Sequence, residues 1–152
     1  MNYKMMAYIL GNIMQAEGLL MSISALLALY KGEINELRAF LITIILLLVI
    51  GTAMKHFAPK NKRIYGREGF VIVALSWIVM SIFGAMPFYL SGAIDGAVNC
   101  FFETVSGFTT TGATVLSEIE GLPMSILFWR SFTHWIGGMG ILVFVLAIVP
   151  LG

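Results

Sequence analysis

Residues 97–114 read AVNCFFETVSGFTTTGAT. The opening part, Ala97 to Val105, is too apolar for an ordinary surface loop, yet as a helix it would rise only about 14 Å against a hydrocarbon core of roughly 30 Å. A short helix that enters the membrane and turns back satisfies both constraints. Asp95 is its expected N-cap, with Gly96 following, and its end is expected near Ser106 and Gly107. Beyond it, Phe108, Thr109, Thr110, Thr111, Gly112, Ala113 and Thr114 form a β-branched run interrupted by glycine, poorly suited to helix and expected to be extended.

Such a segment has a specific chemical use. Dehydrating a cation requires oxygens at close range, and backbone around a glycine can turn successive carbonyls toward an axis while threonine hydroxyls add more. The short helix aims its partly negative C-terminal end at the same place. Non-helical backbone at membrane depth is tolerated only when buried in protein or lining a watery cavity. On pattern alone, an outer loop with surface threonines from Ser106 to Thr114 competes evenly with this reading.

Outward from this segment the chain is membrane-like. Of its 152 residues 59% are hydrophobic and only 11% charged, where soluble domains carry roughly a quarter. Four apolar stretches are long enough to cross a bilayer: Met5 to Tyr30, Ala39 to Phe57, Gly69 to Leu90 and about Met124 to Val149. The first runs too long for a cleavable signal peptide and lacks a small-residue cleavage site after it, so it is expected to remain as a span. Five of the nine Lys and Arg residues, Lys55, Lys60, Lys62, Arg63 and Arg67, fall in one short segment, whereas Lys31 and Arg38 are balanced by Glu33 and Glu36. That asymmetry is topological and not a nucleic-acid patch: the basic segment and the N-terminus are expected to be cytoplasmic. Residues 91–123 then begin and end on the outer side. Lone Cys100 excludes an internal disulfide.

Two longer stretches sharpen the reading. Ser106 to Leu116, SGFTTTGATVL, followed by Leu127 to Ile141, LFWRSFTHWIGGMGI, resembles the first pore repeat of the Trk family of potassium uptake proteins, of the TrkH or TrkG branch. The likeness is close from about Arg67 onward, and the two preceding helices resemble that branch's extra N-terminal pair. The resemblance implies four helix, pore-loop, helix repeats around one pore, each contributing a filter glycine. Carried onto this chain, the filter is Thr109, Thr110, Thr111, Gly112 and Ala113, with Gly112 central and potassium held at Thr110, Thr111 and Gly112. It also implies potassium as substrate, no covalently bound cofactor, and a soluble nucleotide-binding regulator of the TrkA type on the cytoplasmic face. One repeat cannot enclose a pathway, so further repeats are expected, in a longer chain or in other subunits.

The expected architecture is therefore an all-α integral membrane protein of the cytoplasmic membrane. Residues 1–66 form two leading transmembrane helices and the basic loop; residues 67–152 form one helix, re-entrant pore loop, helix unit. Glu103, the only acid in the pore helix, is expected to pair with Arg130, a basic residue inside the fourth predicted span, and so to support the loop. Gly137, Gly138 and Gly140 are packing or hinge positions, with packing favoured. Glu17, in the first span beside Gln15, is expected to be a protonated or hydrogen-bonded interface carboxylate. His134 is expected to hydrogen-bond between helices or anchor at the interface, Pro87 to end or kink the third span, and Glu118 and Glu120 to be solvated outside. Lipid headgroups are natural partners of the basic loop. Two other functions compete: a noncatalytic membrane subunit, and, far less well supported, an intramembrane serine hydrolase using Ser106 or Ser131 with His134, for which the sequence has no Gly-x-Ser-x-Gly elbow. Sodium beside potassium as cargo is left open by the sequence.

Overall fold

A computed structural model of the chain describes residues 3–56, 66–114 and 121–148, the last eight of these in backbone only. The described residues form five helices: α1 (Tyr3–Lys31), α2 (Ile34–Lys55), α3 (Gly66–Ser91), α4 (Ala97–Phe108) and α5 (Met124–Ile148). Among the described residues, α1, α2 and Arg67–Ser91 of α3 are long and apolar enough to cross a membrane. Three of the four expected spans thus reappear with ends shifted by a few residues, most at α2, which starts at Ile34 rather than Ala39, and the fourth stretch forms α5. Most of the basic loop, Lys60, Lys62 and Arg63, lies outside the described residues, as do Glu118 and Glu120.

Lipid offers no hydrophobic force to press one apolar helix on another, so close packing and polar contacts must do it. The α1–α2 hairpin has both. A Cβ on Gly11 would sit 2.6 Å from the Gly51 carbonyl oxygen, and one on Gly51 would sit 2.8 Å from that of Gly11, so the two backbones touch. Just beside them Lys55 Nζ donates to Gln15 Oε1 at 3.0 Å and Gln15 Nε2 donates to Thr52 Oγ1 at 2.9 Å. Gln15, polar in mid-span, is thereby satisfied.

The hairpin turns in two residues because Gly32, at φ 70°, takes the left-handed position after α1. Its N–H donates to Leu29 O and that of Glu33 to Ala28 O, closing the helix end. Asn35 Nδ2 bonds Ser91 O, and Glu33 Oε1 accepts from Ser125 N–H, so the turn lies at the same end of the bundle as the end of α3 and the start of α5. This matches the expectation that residues 91–123 leave from and return to one side. Pro87 does not stop α3, which runs four residues further to Ser91.

The core is centred on Trp129, which is fully buried. Its ring meets Phe40 of α2 and Phe108 of α4 edge-on, and its Nε1–H donates to Gly84 O of α3 at 2.9 Å. One side chain therefore ties α2, α3, α4 and α5 together. On α5 the buried residues Ser125, Trp129, Thr133 and Gly137 recur every fourth position, one stripe along the helix.

Candidate pore loop

α4 enters after Gly96, which at φ 85° holds the N-cap position, with its carbonyl accepting from Cys100 N–H. Asp95, the expected cap, instead offers its backbone oxygen to Asn99 Nδ2. A conformation favourable only to glycine displaces the side-chain cap by one residue. The buried face of α4 carries Cys100, Glu103, Thr104, Ser106, Gly107 and Phe108, while Val98, Phe101 and Phe102 are exposed.

Two glycines let α4 lie directly on α5. A Cβ at Gly107 would overlap the Thr133 hydroxyl, and one at Gly137 would overlap the Phe108 carbonyl. Gly137 therefore meets the backbone of the pore helix itself. A Cβ on Gly138 would lie 4.0 Å from the Thr110 methyl, and one on Gly140 would make ordinary contact with Trp77 at 3.4 Å. Of the three glycines singled out, Gly137 is the one at which close packing is obligatory.

The segment after α4 is a turn before it is extended, and Phe108 still belongs to the helix. Thr110 N–H donates to Gly107 O at 3.0 Å and Thr111 N–H to Ser106 O at 2.9 Å, the hydrogen-bond pair of a Schellman helix end. Thr110 occupies the left-handed position, at φ 56°, and Gly112 follows at φ 83°. The expectation of a uniformly extended run fails here because the orphan carbonyls at the end of α4 recruit the next N–H groups. Ser106 is the centre of the turn, since its hydroxyl also donates to Ala113 O at 2.6 Å. Thr109 Oγ1 donates to Val105 O at 2.6 Å and lies 2.8 Å from Thr111 Oγ1, and Thr110 Oγ1 donates to Thr109 O at 2.7 Å.

These bonds sort the oxygens. The carbonyls of Thr109 and Ala113 are occupied by hydroxyls, whereas those of Thr110, Thr111 and Gly112 accept no hydrogen bond among the described residues. All five residues from Thr109 to Ala113 are exposed, and nothing lies within 4 Å of where a Gly112 Cβ would be. The loop presents one open face.

Glu103 and Arg130 meet as expected: Arg130 Nε donates to Glu103 Oε2 at 3.2 Å. The other carboxylate oxygen, Oε1, accepts from Thr114 Oγ1, a contact that residue spacing did not suggest. Glu103 is 3% exposed, and a buried carboxylate with one cation and one hydroxyl is far cheaper than a bare one. It thus ties the outer end of the loop to α5. Glu17 sits behind α4, fully buried, where a Cβ on Gly84 would lie 3.3 Å from its Oε2. Neither of its oxygens finds a hydrogen-bond partner among the described residues, so of the two expected states, protonated or hydrogen-bonded to a neighbour, the bonded one is not seen there. Ser131 is exposed and His134 half-buried, with no hydrogen bond joining them among the described residues.

A short helix buried on one side, a threonine-glycine turn open on the other and a following helix packed against both is a pore-loop arrangement. The family model of TrkH, described as cation transport protein, matches residues 36–152. The chain belongs to the TrkH family. Among TrkH relatives, the Trk system potassium uptake protein TrkH of Halomonas elongata is 37% identical over 99% of this chain and 31% of its own length. An uncharacterized cation transporter of Methanocaldococcus jannaschii is 40% identical over 90% of this chain and 28% of its own length. The crystal structure of the potassium transporter TrkH from Vibrio parahaemolyticus superposes with a TM-score of 0.91 at 35% identity, covering 99% of this chain and 32% of that one. The chain thus spans about a third of the length of these TrkH relatives, and it is an all-helical membrane protein of their kind.

Proposed function

We propose that residues 97–114 are one wall of a potassium permeation pathway across the cytoplasmic membrane, completed by further repeats in the same chain or in other subunits. The observation that carries this is the row of unengaged carbonyls at Thr110, Thr111 and Gly112, on an exposed loop whose other oxygens are already bonded. Potassium entering the pathway exchanges hydration water for these oxygens, with the Thr109 and Thr111 hydroxyls beside them. Ala113 serves the wall through Ser106, which holds its carbonyl turned away. Glu103 and Arg130 support the loop from behind, holding Thr114 to α5.

The names of the TrkH relatives support potassium over sodium as cargo. The basic segment from Lys55 to Arg67 supports a cytoplasmic N-terminus. It also offers a surface for anionic lipid and for a nucleotide-binding regulator of the TrkA type. This reading assigns the chain no catalytic chemistry.

The deciding experiment is potassium uptake at low external potassium in cells lacking their own uptake systems. The longest reading frame carrying these residues is compared with its Gly112→Ser variant. At φ 83° any side chain strains the backbone that presents the carbonyls, so uptake is expected to fall at least about tenfold with the protein still in the membrane. Unchanged uptake and unchanged potassium over sodium preference would remove this loop from the pathway.

A further inference from the structure

Glu33 occupies the N-cap position of α2, yet its side chain makes no capping bond there. Instead Oε1 reaches 92 residues along the chain to accept the Ser125 N–H at 3.1 Å. Ser125 is the second residue of α5, so its N–H is one of the first four of a helix, which have no partner within the helix itself. A carboxylate there also meets the positive end of the helix dipole. Two residues on, Asn35 Nδ2 donates to Ser91 O at 2.7 Å, the last carbonyl of α3 and an orphan of the opposite kind. One short turn of the leading hairpin therefore satisfies the end of α3 and the start of α5 together.

Those two ends are the stalks from which residues 92–123, α4 and the loop, are suspended. α5 carries the consequence inward. Arg130 lies five residues beyond Ser125, about 7.5 Å along the axis, and bonds Glu103, which in turn receives Thr114 at the outer end of the loop. A shift at the start of α5 is transmitted along the helix to that ion pair, because Ile126 and Trp129 between the two seat α5 in the close-packed core.

We propose that Glu33 and Asn35 are positioning residues for the filter: a clasp by which the leading helix pair sets the separation of the two stalks and so the placement of Thr110 to Gly112. This rests on the permeation reading above. It gives the N-terminal pair a part in ion selection through contact with the pore unit alone, with no contact to the ion.

The test uses the longest reading frame carrying these residues, with Glu33→Ala, Glu33→Gln and Asn35→Ala variants, read by amide hydrogen exchange over residues 124–127 and by the kinetics of potassium uptake. Glu33→Ala is expected to speed exchange at Ser125 roughly tenfold, as one hydrogen bond is lost from a local opening. It should also raise KM for potassium several-fold and narrow the potassium over sodium preference, with maximal rate per protein in the membrane little changed. Glu33→Gln keeps an acceptor oxygen and should restore most of both; Asn35→Ala should shift KM in the same direction by less. Unchanged exchange at Ser125 in Glu33→Ala overturns the clasp itself. Unchanged KM and preference in the Glu33→Ala, Asn35→Ala double variant overturns its positioning role, provided Gly112→Ser abolishes uptake in the same cells. If Gly112→Ser is silent, the permeation reading fails separately and the exchange measurement still judges the contact.

Discussion

Two helix ends in this protein are closed by the same pair of hydrogen bonds but by different residues. After α1, Gly32 takes the left-handed position at φ 70°; after α4, Thr110 takes it at φ 56°. Glycine adopts that conformation freely, whereas a β-branched residue held there costs about 1–3 kcal/mol and persists only where its surroundings over-determine it. Around Gly32 nothing lies within 4 Å of a Cβ, so the turn relies on its own backbone. Around Thr110 the surroundings are dense with hydroxyls: Thr110 on Thr109 O, Thr109 on Val105 O and Ser106 on Ala113 O. The connecting turn is built from the residue that makes it easy, and the loop turn from one whose methyl and hydroxyl are kept despite the strain. A conformation held at a cost on an exposed loop marks a place where geometry is used.

The largest blow to the loop side of this comparison comes from behind it. Gly137→Ala would place a methyl inside the Phe108 carbonyl, one residue before the turn, and neither backbone can yield without moving α4 from α5. The expected outcome is destabilisation of several kcal/mol, beyond the usual 1–3 for overpacking because the obstacle is main chain, together with loss of uptake. Thermal unfolding of the detergent-solubilised protein is the check; a midpoint within about 2 °C of the parent would mean the helices are not in contact there.

The outline of this site was legible in sequence for physical reasons, and its detail was hidden for others. An apolar run too short for a span is best satisfied by a helix that re-enters, which, with the resemblance of the segment after it, located α4. The lone acid in the pore helix and the base of the fourth span had each other as the cheapest partner, which located Glu103 and Arg130. The glycine cluster announced packing, but only the register of α5 against Phe108 selects Gly137. Propensity placed the special backbone at Gly112 and missed Thr110, because the turn is set by where α4 runs out of donors and not by the residue that must accommodate it. Asp95 lost the cap to Gly96 for a similar reason. The burial of Trp129, the bond from Thr114 to Glu103 and the reach of Glu33 are tertiary facts carried by no local pattern.

Thr110→Gly tests the comparison more sharply, because it gives the loop turn the residue of the connecting turn. Relief of left-handed strain and loss of the Oγ1 bond to Thr109 O are of similar size, about 1–2 kcal/mol each, so stability should change little. Uptake should nevertheless suffer, with KM for potassium raised several-fold, since the loop gains backbone freedom where the carbonyls must be held. Unfolding and uptake measured on the same preparation separate the two effects. A variant both as stable and as selective as the parent would show that Thr110 is not kept for the geometry it imposes.

Gly32→Ala is the smallest perturbation and the control that gives the others meaning. The new methyl meets no atom within 4 Å, so its whole cost is the left-handed backbone, about 1–2 kcal/mol. Gly32→Asn should cost less, as asparagine tolerates that region better. Neither touches the loop, and Glu33 and Asn35 keep their bonds as long as the turn holds its path. The expectation is therefore a modest fall in unfolding midpoint with KM for potassium unchanged. If KM shifts with Gly32→Ala, the turn has moved the stalks of the pore unit, and the connecting end is not separate from the loop end but part of the same machinery.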